Sequence, residues 1–279
     1  MVLTDTVPPT FERSPVVPVA AYLVVVGVLS ALVAVAPAAS PPPILGMAWG
    51  VFLVVLAVGA FTIEGVSPRS VLPPARTLVL AGVVLLAFWA LYNVAALGLA
   101  LGGVVGFDAV WSRAAAHPPA YLAALSSSLL FTAIPEELFF RSYLQGRFAA
   151  LAGGDSRRAV LTGVLAAAFL FAVFHLPRWF LASGHGVGPA LAGRLVGLTV
   201  AGIAFGLVYA LTRNLWLVAL LHATMNYRPL LVSMHVPAEL HLVVGVVEYA
   251  AVVSVVALAV GLLEPDGASP VWACQELAP

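Results

Sequence analysis

Leu130-Phe131-Thr132-Ala133-Ile134-Pro135-Glu136-Glu137-Leu138-Phe139-Phe140-Arg141 places two adjacent carboxylates and an arginine at the end of a long apolar run. A lone charge at the centre of a membrane helix costs on the order of 3 kcal/mol, so the setting of this run decides how its charges are read. The setting is a bilayer. The whole chain is 62% hydrophobic and 9% charged, with a mean hydropathy of +1.08, whereas a soluble protein carries roughly a quarter charged residues. A spanning helix takes about 20 apolar residues, and segments near 17–39, 44–63, 77–101, 119–140, 159–176, 189–211, 215–232 and 240–263 qualify. The expected fold class is an all-α, polytopic transmembrane helical bundle of about eight spans.

Proline, glycine and serine punctuate the spans at Ser40-Pro41-Pro42-Pro43, Pro73-Pro74, Pro118-Pro119 and Gly153-Gly154. The organisation expected is an N-terminal cytoplasmic tail at 1–16, transmembrane helices without motifs at 17–118, a core with three motifs at 119–232, a last transmembrane helix at 233–263 and a polar C-terminal tail at 264–279. Only Thr212-Arg213-Asn214 separates the sixth and seventh spans, which must then be antiparallel neighbours. The first apolar block is too long for a cleaved signal, although Ala36-Pro37-Ala38-Ala39-Ser40 mimics a cleavage site. Arginines 13, 69, 76, 147, 157, 158 and 213 fall on one side, and 113, 178, 194 and 228 on the other. That asymmetry predicts cytoplasmic termini in a multi-pass protein of the cell membrane. Gly46/Gly50 and Gly202/Gly206 have the spacing of close helix packing.

Composition also excludes classes. Net charge is zero and no basic stripe is present, so nucleic acid is not an expected partner. The single cysteine, Cys274, rules out an intrachain disulfide and a cysteine zinc cluster, and it stands too far from the end for prenylation. The partner expected from composition is the lipid bilayer.

Three spans carry polar groups that need partners. Glu137 and Arg141 are four residues apart and can pair on one helix face. Glu136 points about 100° away from Glu137, and Pro135 removes a backbone donor and kinks the helix just before the pair. The next span holds His175 four residues after Phe171, ahead of Pro177. A later span holds His222 and Asn226, which project from one face. Taken singly these read as an interfacial salt bridge, an interhelical histidine and polar glue between helices. Together they would cost several kcal/mol unpaired, and convergence on one cavity satisfies them at the least cost. The two phenylalanines beside His175, Phe171 and Phe174, are expected to pack. His117, His185, His235 and His241 fall in loops or at span ends.

Glu136-Glu137-x-x-x-Arg141, Phe171-x-x-x-His175 and His222-x-x-x-Asn226 resemble, in order and spacing, the three-motif signature of the CAAX-protease and bacteriocin-processing (Abi) family, which includes type II CAAX prenyl endopeptidases. The resemblance covers about residues 121–231 and implies a membrane-embedded endopeptidase in which Glu136 activates water. Glu136, His175, His222 and Asn226 are then the catalytic candidates, with Glu137 and Arg141 in support.

Two chemical variants fit these residues. In one, His175 and His222 bind zinc, and a glutamate completes or assists the site. In the other, Glu136 and His175 activate water while His222 and Asn226 donate to the oxyanion. Asparagine is not a usual zinc ligand and H-E-x-x-H is absent, which favours the metal-free form. Proteins resembling this one are nevertheless often labelled metalloproteases. Arginine without lysine, with abundant alanine, valine and glycine, suggests a high-GC bacterium. In that setting processing of a membrane peptide or protein is expected over a prenylated substrate. The other classes are a non-catalytic scaffold or immunity protein of the same fold and a proton-coupled transporter, against which the lack of an internal repeat weighs.

Overall fold

The computed structural model describes residues 15–35, 43–154 and 156–263. The N-terminal tail, the Ala36–Ser40 motif and the C-terminal tail with Cys274 lie outside the described residues. The elements in chain order are α1 (Val16–Val35), α2 (Pro43–Ile63), α3 (Arg76–Leu101), β1 (Phe107–Trp111), α4 (Pro118–Leu151), α5 (Arg157–Ala182), α6 (Pro189–Thr212), α7 (Leu215–Asn226), β2 (Val232–Met234) and α8 (His241–Leu263). Among the described residues, seven helices are long and apolar enough to span a bilayer, and α7 is not one of them. The chain is an all-α polytopic membrane bundle.

The expected seventh span therefore needs correction. Its helix ends at Asn226, and a strap of residues 227–231 leads into β2. Pro229 is the physical reason: it lacks an N–H, and it biases Arg228 away from helical backbone. The apolar Leu230-Leu231-Val232 that follows had extended the hydropathic run. β2 pairs antiparallel with β1, which follows α3, so the chain leaving α7 reaches the membrane face at which α3 ends. Twelve helical residues rise about 18 Å and five extended ones about 16 Å. Helix and strap together are thus about as long as the ~30 Å hydrocarbon core is thick.

α4 organises the bundle. It runs as an α-helix to Ser128, widens to a π-helix at Leu129–Ala133, makes one α turn at Ile134–Glu137, and widens again at Leu138–Gln145. Pro135 cannot donate to the carbonyl of Phe131 four residues back. That carbonyl is turned toward α2, where a Cβ on Gly50 would stand 2.5 Å from it. Gly50 is what lets the two helices meet there. Gly202 and Gly206 of α6 are likewise tight, against Ala168 and Val164 of α5, and Gly163 of α5 sits against the Gln145 carbonyl of α4. Gly46 has no atom within reach of an added Cβ.

Packing divides into two main apolar clusters. Phe139, Phe140, Tyr143, Phe171 and Phe174 fill the contact of α4 and α5 with α1 and α2. Trp89, Phe205, Tyr209, Leu217 and Val252 fill the contact of α3 with α6, α7 and α8. α7 lies between the two. Arg147, counted above among the inner-side loop charges, is instead buried and within 2.8 Å of the Glu64 carboxylate at the end of α2.

Candidate active site

The α turn between the two π segments delivers Glu136 and Glu137 into the protein, where both are buried. Arg141, one turn on and fully buried, donates from Nε to Glu137 Oε2 at 2.8 Å. The other Glu137 oxygen, Oε1, lies 2.7 Å from Nδ1 of His222 on α7. A carboxylate bound to a guanidinium can only accept, so Nδ1 carries the proton and Nε2 is turned the other way, toward Glu136 Oε2 at 3.9 Å. Glu137 thus joins Arg141 and His222, and the imidazole stands between the two glutamates. Phe205 of α6 stacks on the His222 ring at 5.2 Å, and Phe171 meets its edge at 6.1 Å. The guanidinium of Arg141 lies 5.0 Å from the centroid of Phe171, a cation–π contact in a desolvated place.

His175 arrives from α5. The helix loosens into a turn at Phe174-His175 and then resumes to Ala182, so Pro177 does not end it as the sequence suggested. Nδ1 of His175 donates to the Phe171 carbonyl at 2.8 Å, which fixes the tautomer and leaves Nε2 as a free acceptor. Phe171 and Phe174 flank the ring edge-on at 4.9 and 5.0 Å, so they pack as expected. His175 lies near the end of α5, where exposed Arg178 follows one turn later. The site is therefore closer to the membrane face bearing β1 and β2 than to the 213–214 turn.

Asn226 is the last residue of α7, one turn beyond His222, and is exposed. His117, His185, His235 and His241 are exposed and away from the cluster. The structure brings Glu136, Glu137, Arg141 and His222 into one contact chain, sets His175 across the Phe171 ring from them, and leaves Asn226 at the rim.

The donors fall short of a zinc site. A catalytic zinc takes three protein ligands, and among the described residues no group of three or more His, Cys, Asp or Glu side chains is placed to hold a metal ion. His222 Nδ1 is engaged by Glu137 and His175 Nδ1 by backbone. Zinc on His175 and His222 lacks its third ligand in this arrangement.

Several residues around the site escaped the sequence reading. Asn93 of α3 and Glu248 of α8 both contact the strap after α7, and Glu248 is buried. Each is a polar residue inside an apolar span, the same signal that marked the three motifs.

No curated protein and no solved structure matches the chain. Residues 118–228, which hold α4 to α7 and every candidate above, match the model of the family described as type II CAAX prenyl endopeptidase Rce1-like. Over these residues the polytopic membrane protein is therefore similar to the CAAX-protease family.

Proposed function

We propose that this protein is an intramembrane endopeptidase that hydrolyses a peptide bond of a membrane-associated peptide or protein with a glutamate-activated water. The observation that carries the reading is the Arg141–Glu137–His222–Glu136 chain, buried in a bilayer-spanning bundle, with His175 across the Phe171 ring from it. Glu137 is occupied on both oxygens, which leaves Glu136 as the carboxylate available to take a proton.

Peptide hydrolysis needs a base for water and donors for the oxyanion. A water held by Glu136 and His175 loses its proton to Glu136 as its oxygen adds to the scissile carbonyl. The 3.9 Å between Glu136 Oε2 and His222 Nε2 is too long for a direct hydrogen bond and leaves room for an oxygen atom touching both. Doubly protonated His222, with Glu137 as its counter-charge, donates from Nε2 to the oxyanion, and Asn226 at the rim supplies a second donor. The proton on Glu136 then passes to the leaving amine, and the carboxylate is restored. No step is routed through a metal. The arginine distribution supports cytoplasmic termini, and the cluster then opens toward the opposite face.

The test is reconstitution of the full chain in nanodiscs with a library of hydrophobic peptides, with products read by mass spectrometry. Wild type and the lipid-facing control Phe169→Leu are expected to cleave the same peptides, and Glu136→Gln none. Equal cleavage by Glu136→Gln and the control removes the reading. Proton-coupled uptake in vesicles without any cleavage favours transport.

A further inference from the structure

The strap at residues 227–231 is held from three helices and from Ser112, the residue after β1. Tyr121 of α4 donates to the Tyr227 carbonyl at 3.1 Å. Arg228 pairs with Glu248 of α8 at 2.7 Å, and Glu248 also accepts from the Tyr92 hydroxyl of α3. Asn93 of α3 does two things at once: its Nδ2 donates to the Pro229 carbonyl at 2.9 Å, and its Oδ1 accepts from the Leu231 N–H at 2.7 Å. Ser112 bonds the Leu230 carbonyl through its hydroxyl and the Leu231 carbonyl through its N–H. One turn earlier on α3, Trp89 Nε1 donates to Thr224 of α7 at 3.0 Å.

These bonds bear on the site because of where the strap begins. Asn226 is the residue just before it and His222 is one turn back. The last carbonyls of a helix lack intrahelical partners, and an unheld end frays. Leu217 and Leu221 of α7 share an apolar cluster with Phe88 and Trp89 of α3, but the last turn of α7 borders an apolar cavity of about 1120 Å³ lined by Leu86, Trp89, Asn93, Tyr121, Thr224 and Leu231. Thr224 is about 200° around the helix from His222, so a tilt of α7 into that cavity would draw His222 away from Glu136. The polar clamp across the cavity opposes this tilt at the end of α7, beyond the apolar packing on α3.

We infer that Asn93 is a positioning residue: by bridging Pro229 and Leu231 it holds the strap, and through the strap it sets Asn226 and His222 against Glu136. The inference rests on the endopeptidase reading for its catalytic consequence, and its structural half stands apart from it. Asn93 lies outside residues 118–228, so this support for the site comes from a part of the chain with no motif.

Hydrogen exchange and peptide cleavage on the full chain in nanodiscs test it together. Asn93→Ala is expected to raise amide exchange about ten-fold or more across residues 223–231 and to leave residues 160–172 of α5 unchanged. Cleavage is expected to lose about ten- to a hundred-fold in kcat with KM within about two-fold. That loss should shrink in an Asn226→Ala background, because the share of it that acts through Asn226 is then already gone. Asn93→Gln, which keeps a donor and an acceptor, should recover part of both effects, and it serves alone where Asn93→Ala fails to fold. Unchanged exchange at 223–231 overturns the inference, and so does a kcat loss that adds in full to that of Asn226→Ala. If wild type cleaves nothing, the endopeptidase reading falls, and the exchange result still decides whether Asn93 holds the helix end.

Discussion

Glu137 Oε1 stands 2.7 Å from His222 Nδ1, across a helix interface and 85 residues apart in the chain. This contact makes the second glutamate of the pair more than a partner for Arg141. It sets which nitrogen of His222 carries the proton and turns Nε2 toward Glu136. Outer carboxylates orient imidazoles in the same way in metal sites, and here Glu137 orients His222 within a buried cluster.

Replacing Glu137 with Gln preserves its volume and removes the charge that orients His222. Cleavage is expected to fall about ten- to a hundred-fold. The loss should fall on kcat and leave KM nearly unchanged, as steady-state kinetics on a peptide cleaved by the wild type will measure.

His175 keeps Nε2 as an acceptor and, in the proposed reaction, is expected to act on water directly. His175→Ala should cost about 10²–10⁴-fold in kcat, with thermal stability in detergent close to wild type because the ring is only half-buried. A loss of stability matching the loss of activity would instead mark it as a packing residue.

Gly50→Ala places a methyl carbon 2.5 Å from the Phe131 carbonyl oxygen, which is backbone and cannot rotate away. α2 must shift from the π segment that delivers Glu136. The expected cost is about 1–3 kcal/mol, measured as a lowered unfolding midpoint in detergent. Gly46→Ala, four residues earlier with open space around it, is the control and should be near neutral.

Arg147 and Glu64 form a buried pair far from the chemistry. Removing either partner leaves a buried charge and should cost about 3–5 kcal/mol, whereas Arg147→Met with Glu64→Leu should recover much of that loss. A double-mutant cycle on unfolding midpoints checks the coupling.

With the donor set lacking a third metal ligand, chelation should leave cleavage unchanged. Dialysis against a strong zinc chelator followed by assay, with elemental analysis of the purified protein, makes the measurement. A loss of activity restored by added zinc would require His175 and His222 to reorganise around a third ligand.

Much of this architecture is legible in the chain because the background is so apolar. Glu136, Glu137, His175 and His222 stand out as groups that must find partners, and the i, i+4 spacing of Glu137 and Arg141 states one pairing outright. The same logic marks Asn93 and Glu248, yet neither has a side-chain partner one turn away on its own helix. Their partners, Leu231 and Arg228, lie in a strap that hydropathy alone merges into a seventh span. The β1–β2 pairing escaped for a related reason. Its strands are five and three residues long and become strands by meeting each other, with little local pattern to announce them.

The amino-acid sequence by itself determined that this chain spans a bilayer many times, which helices carry ionisable groups, and which family its core resembles. These follow from local composition and short-range spacing. Only the tertiary structure decided that Glu137 holds His222 as well as Arg141, that α7 stops at Asn226, and that α3 and α8 brace its end. Those outcomes depend on which distant groups share a dry interior, where each buried donor and acceptor must find a partner. The pairing of residues 85 or 138 positions apart is set by how whole helices pack.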